Sequence, residues 1–296
     1  EITDRRFEFL NDHDGMFRRL RESPPEFVLN FCDTGFRNEA RYELHIPALL
    51  EMLGVPYSGS GPVALGICYD KALVRAVAQA HGVPVPWEVF LRPQESLPDV
   101  DYPAFIKPNC GDGSVGITEA SLVHERDEAE KYVAKLRSEL PGTDVLVQEY
   151  LSGDEYGLGL IGNSASGFTA LPMLQVDYAA LDPELPRLLS YSSKVDPESP
   201  YWTDIRFHEA KLDGSVKAQV KEWCARLFDR LQLRDYARFD FRADSIGNLK
   251  LMEVNPNPAW CWDGKLAHMG KLMGLSHGAV LRLILEAAER RCFGDG

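Results

Sequence analysis

Apolar residues recur along the chain with two different periods, and the switches between them outline its elements. The run Glu26-Phe27-Val28-Leu29-Asn30-Phe31 predicts a buried strand that ends in Cys32-Asp33-Thr34-Gly35. Ile46, Leu49, Leu50 and Leu53 fall on one helical face, and Gly54 is placed to stop that helix. Val55-Pro56-Tyr57 reads as a short strand leading into the turn cluster Ser58-Gly59-Ser60-Gly61-Pro62. Strand, helix, short strand and glycine-rich turn make half of an α/β lobe. A second helix is predicted from Asp70, with Leu73, Val74, Val77 and Ala80 on its apolar face and Gly82 as its stop.

Past Gly82 the texture changes to short strands, at 104–107 and 145–150, flanking a long charged helix near 125–140. Further strands are expected at 156–161 and 171–176, then a polar, proline-rich stretch at 182–204 and a helix over 215–231. A hairpin and a helix over 275–291 finish the chain. The pattern predicts a mixed α/β and α+β protein of three lobes, covering 1–67, 68–154 and 155–296, without internal repeats.

The hairpin carries the strongest chemical signal. Its strands are Ala237-Arg238-Phe239-Asp240-Phe241-Arg242 and Leu249-Lys250-Leu251-Met252-Glu253-Val254-Asn255, joined through Asp244-Ser245-Ile246-Gly247-Asn248. Alternation puts Arg238 and Asp240 on one face, with Phe239 and Phe241 on the other. Glu253 and Asn255 likewise share a face, and folding at the turn is expected to bring Arg238 opposite or nearly opposite Glu253. Two carboxylates and an amide oxygen form a hard ligand set suited to magnesium on phosphate oxygens. Arg238 beside them is placed to stabilise a developing oxyanion. The plain alternative is an exposed hairpin face with a cross-strand ion pair; the strand-ending Asn255-Pro256-Asn257-Pro258 weighs against it.

Gly111-Asp112-Gly113-Ser114-Val115-Gly116 matches the dinucleotide fingerprint only in letters. That fingerprint opens a helix, whereas Ile117-Thr118-Glu119 reads as another strand. The segment is better understood as a flap whose backbone N–H groups and Ser114 hydroxyl close over phosphates. Gly264-Lys265 and Gly270-Lys271 are both followed by leucine, which excludes a P-loop. Lys71, Lys107 and Lys194 would each pass for surface lysines alone, but their spacing around the flap and hairpin groups them.

Composition narrows the reading. The 296 residues are 45% hydrophobic and 26% charged, and the formal net charge of -13 disfavours nucleic acid as a partner. No stretch approaches the ~18 apolar residues of a membrane span. Six cysteines without a CxxC pair suggest small thiols in a reducing compartment, so a cytoplasmic location is expected.

Taken in order, these pieces resemble the ATP-grasp superfamily, and within it the D-alanine–D-alanine ligase family and its relatives. The resemblance runs from Leu49-Leu50-Glu51-Met52-Leu53-Gly54-Val55-Pro56-Tyr57-Ser58-Gly59-Ser60 through Asp70-Lys71, Ile106-Lys107-Pro108 and the flap. It continues in Gln148-Glu149-Tyr150-Leu151-Ser152-Gly153-Asp154-Glu155 and the metal hairpin. It implies three lobes with ATP between two antiparallel sheets. Lys71 and Lys107 would contact the phosphates, with Gly113 and Ser114 of the flap above them. Glu149, Tyr150 and Leu151 would lie against adenine, and Glu155 would hold the ribose hydroxyls. Lys194 would reach the γ-phosphate from a closing loop. Asp240, Glu253 and Asn255 would carry one or two magnesium ions, replaceable by manganese, and Arg238 would stabilise the tetrahedral intermediate. The implied partners are a small carboxylate and an amine, either amino acids or peptides, and the family habit is a homodimer.

Three departures limit the parallel. Nothing before Phe27 supplies the family's first strand and its glutamate loop, so the N-terminal lobe is expected to be incomplete. That pair is absent, truncated or outside this chain, and Glu1 as first residue favours the last two. Asp33-Thr34-Gly35 stands in place of the usual His-Gly. Asn257-Pro258-Ala259-Trp260-Cys261-Trp262 replaces the small segment that binds the second amino acid. These changes favour another substrate pair over the cell-wall reaction, with a nucleotide-binding pseudoenzyme as a further alternative.

Overall fold

The computed structural model describes residues 2–111 and 113–294. α1 (His13–Glu22) opens on Asp12, whose carboxylate accepts from the backbone N–H groups of Asp14 and Gly15. α2 (His45–Leu53) bears the expected apolar stripe and stops where Gly54 takes a φ of +67°. α3 (Pro62–Tyr69) starts on a proline, where a missing N–H costs nothing. Only Asp70 separates it from α4 (Lys71–Ala80), which Asp70 caps by accepting from the Leu73 N–H at 3.0 Å.

The strand expected at 26–31 does not form. Val28 makes a single parallel bridge to Tyr57, through bonds from Val28 N–H to the Pro56 carbonyl and from Ser58 N–H to the Val28 carbonyl. Among the described residues no other strand lies beside it, so the ladder ends after one step.

Among the described residues the strands form two antiparallel sheets. The first comprises β1 (Glu88–Leu91), β2 (Ala104–Pro108), β3 (Leu122–Val123) and β4 (Val145–Glu149), in the order β1–β4–β2–β3. α5 (Arg126–Glu139) covers one face, where Tyr132, Val133 and Leu136 meet Ala104, Ile106 and Val147. The strand expected at 117–119 is displaced to 122–123. Thr118 and Ser121 cap each other's backbone, which commits Glu119–Ser121 to a 3-10 turn instead.

The second sheet comprises β5 (Glu155–Asn163), β6 (Gly167–Ala170), β7 (Leu174–Asp177), β8 (Arg206–Glu209), β9 (Tyr236–Ala243) and β10 (Leu249–Asn255). Its order is β10–β9–β5–β7–β8, with β6 paired to β5. The stretch between β7 and β8 holds two short helices, α6 (Ser192–Val195) and α7 (Pro200–Thr203). α8 (Gly214–Arg230) precedes β9, and α9 (Lys265–Leu272) and α10 (His277–Phe293) follow β10.

Alternation along β5 and β9 divides core from chemistry. Tyr156, Leu158, Leu160, Ala237, Phe239 and Phe241 pack against residues of α3, α4 and α8. Burying each phenylalanine stabilises by about 2 kcal/mol. The opposite face carries Glu155, Arg238, Asp240 and Arg242. α9 crosses this second face over Gly157 and Gly159. A Cβ at Gly159 would meet Leu266 Cδ2 at 2.9 Å, and one at Gly157 would meet Met269 Cε at 3.1 Å. The two glycines therefore let the helix sit close to the strand.

Buried Asp235 ties three parts of the chain together. Its carboxylate accepts from the Gly59 N–H at 2.8 Å, Asn163 Nδ2 at 3.0 Å and the Arg291 guanidinium at 2.8 Å. Arg291 also donates to the Tyr57 carbonyl at 2.7 Å. Asp235→Ala removes the acceptor of these donors and leaves the half-buried Arg291 guanidinium only its bond to the Tyr57 carbonyl. It is expected to cost about 3–5 kcal/mol in urea unfolding; a change below about 1 kcal/mol would show that the tie carries no stability.

Candidate active site

Both sheets present polar side chains to one cleft. From the first come Lys107 on β2 and Gln148 and Glu149 on β4, with Tyr150 and Leu151 just beyond; from the second come Glu155, Arg238, Asp240, Arg242, Met252 and Glu253. Lys71 enters from the start of α4, Gly113 and Ser114 from the flap, Lys194 from α6 and Lys265 from the start of α9. Every site residue named from the sequence lines this cleft except Asn255. That residue stands behind it, donating its Nδ2 to Asp240 Oδ2 at 3.2 Å.

A bulge sets the metal-type wall. β10 pairs Leu251 with Phe241 and then Glu253 with Asp240, leaving Met252 as the extra residue. Regular alternation would send Leu251 and Glu253 the same way. The bulge instead lets Leu251 and Val254 both enter the core while Met252 and Glu253 face the cleft. It also corrects the expected register: Glu253 lies opposite Asp240, and Arg238 lies opposite Asn255.

Arg238 grips Asp240 in a fork, Nε to Oδ1 at 2.9 Å and Nη2 to Oδ2 at 2.9 Å. Burial pushes the Asp240 carboxyl up, but Arg238, Lys265 and Lys194 outweigh it and hold the group well below the usual carboxylate range. Burial likewise opposes ionisation of Glu253, and Lys71, Lys194 and Lys107 overcome it against the repulsion of Asp240. The cations respond in kind. Burial, with Lys71 nearby, lowers the Lys107 ammonium to about 8. Lys71 Nζ also donates to the Gly111 carbonyl at 2.5 Å, which fixes it under the flap.

The flap and the 182–204 stretch meet over the cleft. Ser114, at a φ of +61°, donates its hydroxyl to the Leu189 carbonyl at 3.0 Å, and the Tyr191 N–H donates to the Ile117 carbonyl at 3.2 Å. Phe105 and Ile117 pack into the cluster of Tyr178, Leu181, Leu188 and Tyr201, so the roof has a core of its own. Arg242 anchors it from below by donating to the Arg187 and Gly153 carbonyls at 2.5 and 3.1 Å.

At the other end, Lys250 Nζ holds both Glu149 oxygens, at 2.6 and 2.8 Å. Glu155 accepts from the Tyr178 hydroxyl at 3.1 Å, and Lys265 Nζ lies 3.4 Å from its other oxygen. Sequence reasoning missed Lys265, Arg242 and Met252. The signal for Lys265 was a lysine directly after Gly264 at a helix start, considered only as a failed P-loop. The signal for Met252 was the broken alternation Leu249, Leu251, Val254. Trp260 is buried against Phe31 and Tyr236, with ring centroids 4.0 and 5.1 Å away, whereas Trp262 is exposed.

Comparison with known proteins agrees with this geometry. Residues 78–286 match the family model for the D-ala D-ala ligase C-terminus. The uncharacterized protein y4sG of Sinorhizobium fredii is 31% identical over 271 residues, 91% of this chain and 76% of that one. The D-alanine–D-alanine ligase of Oleidesulfovibrio alaskensis is 30% identical over 246 residues, 81% of this chain and 73% of that one. The crystal structure of the Bacillus anthracis D-alanine–D-alanine ligase complexed with ATP superposes with a TM-score of 0.72 at 20% identity, over 97% of this chain and 86% of that one. With its two antiparallel sheets and shared cleft, the chain belongs to the D-alanine–D-alanine ligase family of ATP-grasp proteins, a family of ATP-dependent ligases.

Proposed function

We propose that this protein uses ATP and magnesium to activate a carboxylate as an acyl phosphate and then joins it to an amine, with a substrate pair other than two D-alanines. The observation that carries this reading is the convergence of Lys71, Lys107, Lys194 and Arg238 with Asp240 and Glu253 in one cleft. The γ-phosphoryl transfer asks for charge neutralisation more than for covalent chemistry by the protein. Lys71 and Lys107 take the phosphate chain, and Lys194 reaches the γ-phosphate from the roof. Because Lys250 occupies the Glu149 carboxylate, the edge at Glu149, Tyr150 and Leu151 offers adenine its main chain. Glu155, oriented by Tyr178, accepts from the ribose hydroxyls.

An acyl phosphate hydrolyses readily, so the contacts Ser114–Leu189 and Tyr191–Ile117 serve to keep water out. The amine then attacks the acyl carbon, and Arg238 faces the oxyanion that forms. Among the described residues no cluster of three or more His, Cys, Asp or Glu side chains could hold an ion alone. Asp240 and Glu253 with the Asn255 amide behind them fit magnesium of the kind that binds mainly to phosphate and water. An ion held there would supply charge neutralisation for phosphoryl transfer. The preference for another substrate pair rests on the segment after β10. Trp260 fills space against Phe31, and Asn257 Nδ2 donates to Glu43 at 2.7 Å, in the segment that the family resemblance assigns to the second amino acid. Six unpaired cysteines and the net charge of -13 suit a cytoplasmic enzyme of small molecules, and the family habit of pairing extends the proposal to a homodimer.

Phosphate release with ATP and magnesium, screened over pairs of D- and L-amino acids and short peptides, tests the reading. Turnover should appear only with a matched pair, and turnover indifferent to both partners would contradict it. Asp240→Asn and Glu253→Gln should each lower turnover about a thousandfold with circular dichroism unchanged, in line with the several kcal/mol a bound ion supplies. Near-normal rates in either variant would remove the metal assignment.

Lys107 adds a pH signature. Bound phosphates favour its ammonium form, and in the free protein that form is lost as pH rises through about 8. Nucleotide affinity should therefore be full below pH 8 and fall above it by up to about tenfold per pH unit. In Lys107→Met the affinity should be weaker and flat with pH. A flat profile in the unaltered protein would contradict this role.

A further inference from the structure

Lys265, like Arg242, is a cleft cation with no place in the sequence-derived site. Gly157 and Gly159 let α9 lie against β5, and this close approach delivers the first side chain of the helix between two acids. Its Nζ lies 3.4 Å from Glu155 Oε1 and 3.6 Å from Asp240 Oδ2, and the side chain is largely buried. Both distances exceed the ~2.7–2.9 Å of a short charge-assisted bond. The ammonium is thus shared between the two carboxylates and tightly fixed to neither. Arg238 holds the same Asp240 at 2.9 Å through two of its nitrogens. Of these two cations, Lys265 has the looser hold on Asp240 and the more flexible stem.

We infer that Lys265 is a resident counter-ion that competes with a divalent cation for Asp240 and so makes metal binding depend on nucleotide. This rests on the proposed nucleotide site. In the free protein Lys265 compensates Asp240 and Glu155, leaving a divalent ion little net negative charge to bind. A phosphate chain entering between the sheets offers the ammonium new oxygens and draws it away from Asp240. Asp240 keeps its contacts with Arg238 and Asn255 but loses one compensating charge, which favours an ion that arrives with the phosphates. By linkage, whatever nucleotide adds to metal affinity through Lys265, metal adds to nucleotide affinity.

Manganese binding read by electron paramagnetic resonance tests this without turnover. The unaltered protein should bind Mn2+ weakly alone and more tightly with a non-hydrolysable ATP analogue. Lys265→Met keeps the stem and removes the charge. It should bind Mn2+ alone about tenfold more tightly, and the gain from nucleotide should shrink by the same factor. Lys265→Arg keeps the charge and should behave like the unaltered protein; a gain matching that of the Met variant would assign the effect to packing and overturn the inference. Mn2+ affinity in Lys265→Met equal to or below that of the unaltered protein would also overturn it. If Lys265→Met lacks the native near-ultraviolet circular dichroism, Lys265→Gln takes its place with the same expected gain. Failure of the analogue to bind any form would count against the nucleotide site itself, whereas the comparison with Mn2+ alone would still decide the role of Lys265.

Discussion

Buried Asp240 and half-buried Glu253 stand side by side on paired strands, and each stays ionised because cations surround the pair. Taking a carboxylate out of water costs several kcal/mol unless the protein replaces the lost hydration. Here Arg238, two residues away on β9, supplies part of the replacement, and the rest is assembled from afar: Lys71 on α4, Lys107 on β2, Lys194 on α6 and Lys265 on α9. The charge balance of the cleft therefore depends on both sheets, the roof and two helix starts being in place together. The same arrangement leaves Lys107 poorly solvated beside Lys71, a cost that an incoming phosphate chain would relieve.

The rest of the architecture places these groups. Alternation on β5 and β9 gives one face to the apolar core and the other to charge, and the bulge at Met252 turns Glu253 toward the cleft without exposing Leu251. Gly157 and Gly159 bring α9 close, and Asp70 both caps α4 and bridges to Cys110, two residues beyond β2. Asp235 secures the N-terminal segment to the second sheet and to α10. The roof is held by main-chain carbonyls that accept from Ser114, Tyr191 and Arg242.

Much of this was legible before any coordinates. The hairpin, the helices at Ile46–Leu53 and after Asp70, and the flap follow from alternation, helical spacing and glycine chemistry. Arg238, Asp240 and Glu253 could be named from strand alternation and Ser114 from the glycine flap, whereas Glu149, Tyr150, Leu151 and Glu155 came only from the family resemblance. Where the reading failed, the cause was a tertiary or local competitor. Phe27-Val28-Leu29 has strand propensity but only one short neighbour to pair with. Thr118 and Ser121 capped each other and displaced a strand by a few residues. One extra residue at Met252 shifted the register that simple folding about the turn implied. Lys265 could not be placed because its role depends on how closely α9 approaches β5, a consequence of two glycines more than a hundred positions earlier.

The central claim is that the substrate carboxylate itself attacks the γ-phosphate. That claim has an isotopic signature, since the attacking oxygen leaves with phosphate when the amine displaces it. Turnover with ATP, magnesium and 18O-carboxylate-labelled substrate, followed by mass analysis of the released phosphate, is the most direct test. The account predicts one 18O in each phosphate released and ADP as the other product. Unlabelled phosphate accompanying amide formation, or AMP and pyrophosphate in place of ADP, would contradict it.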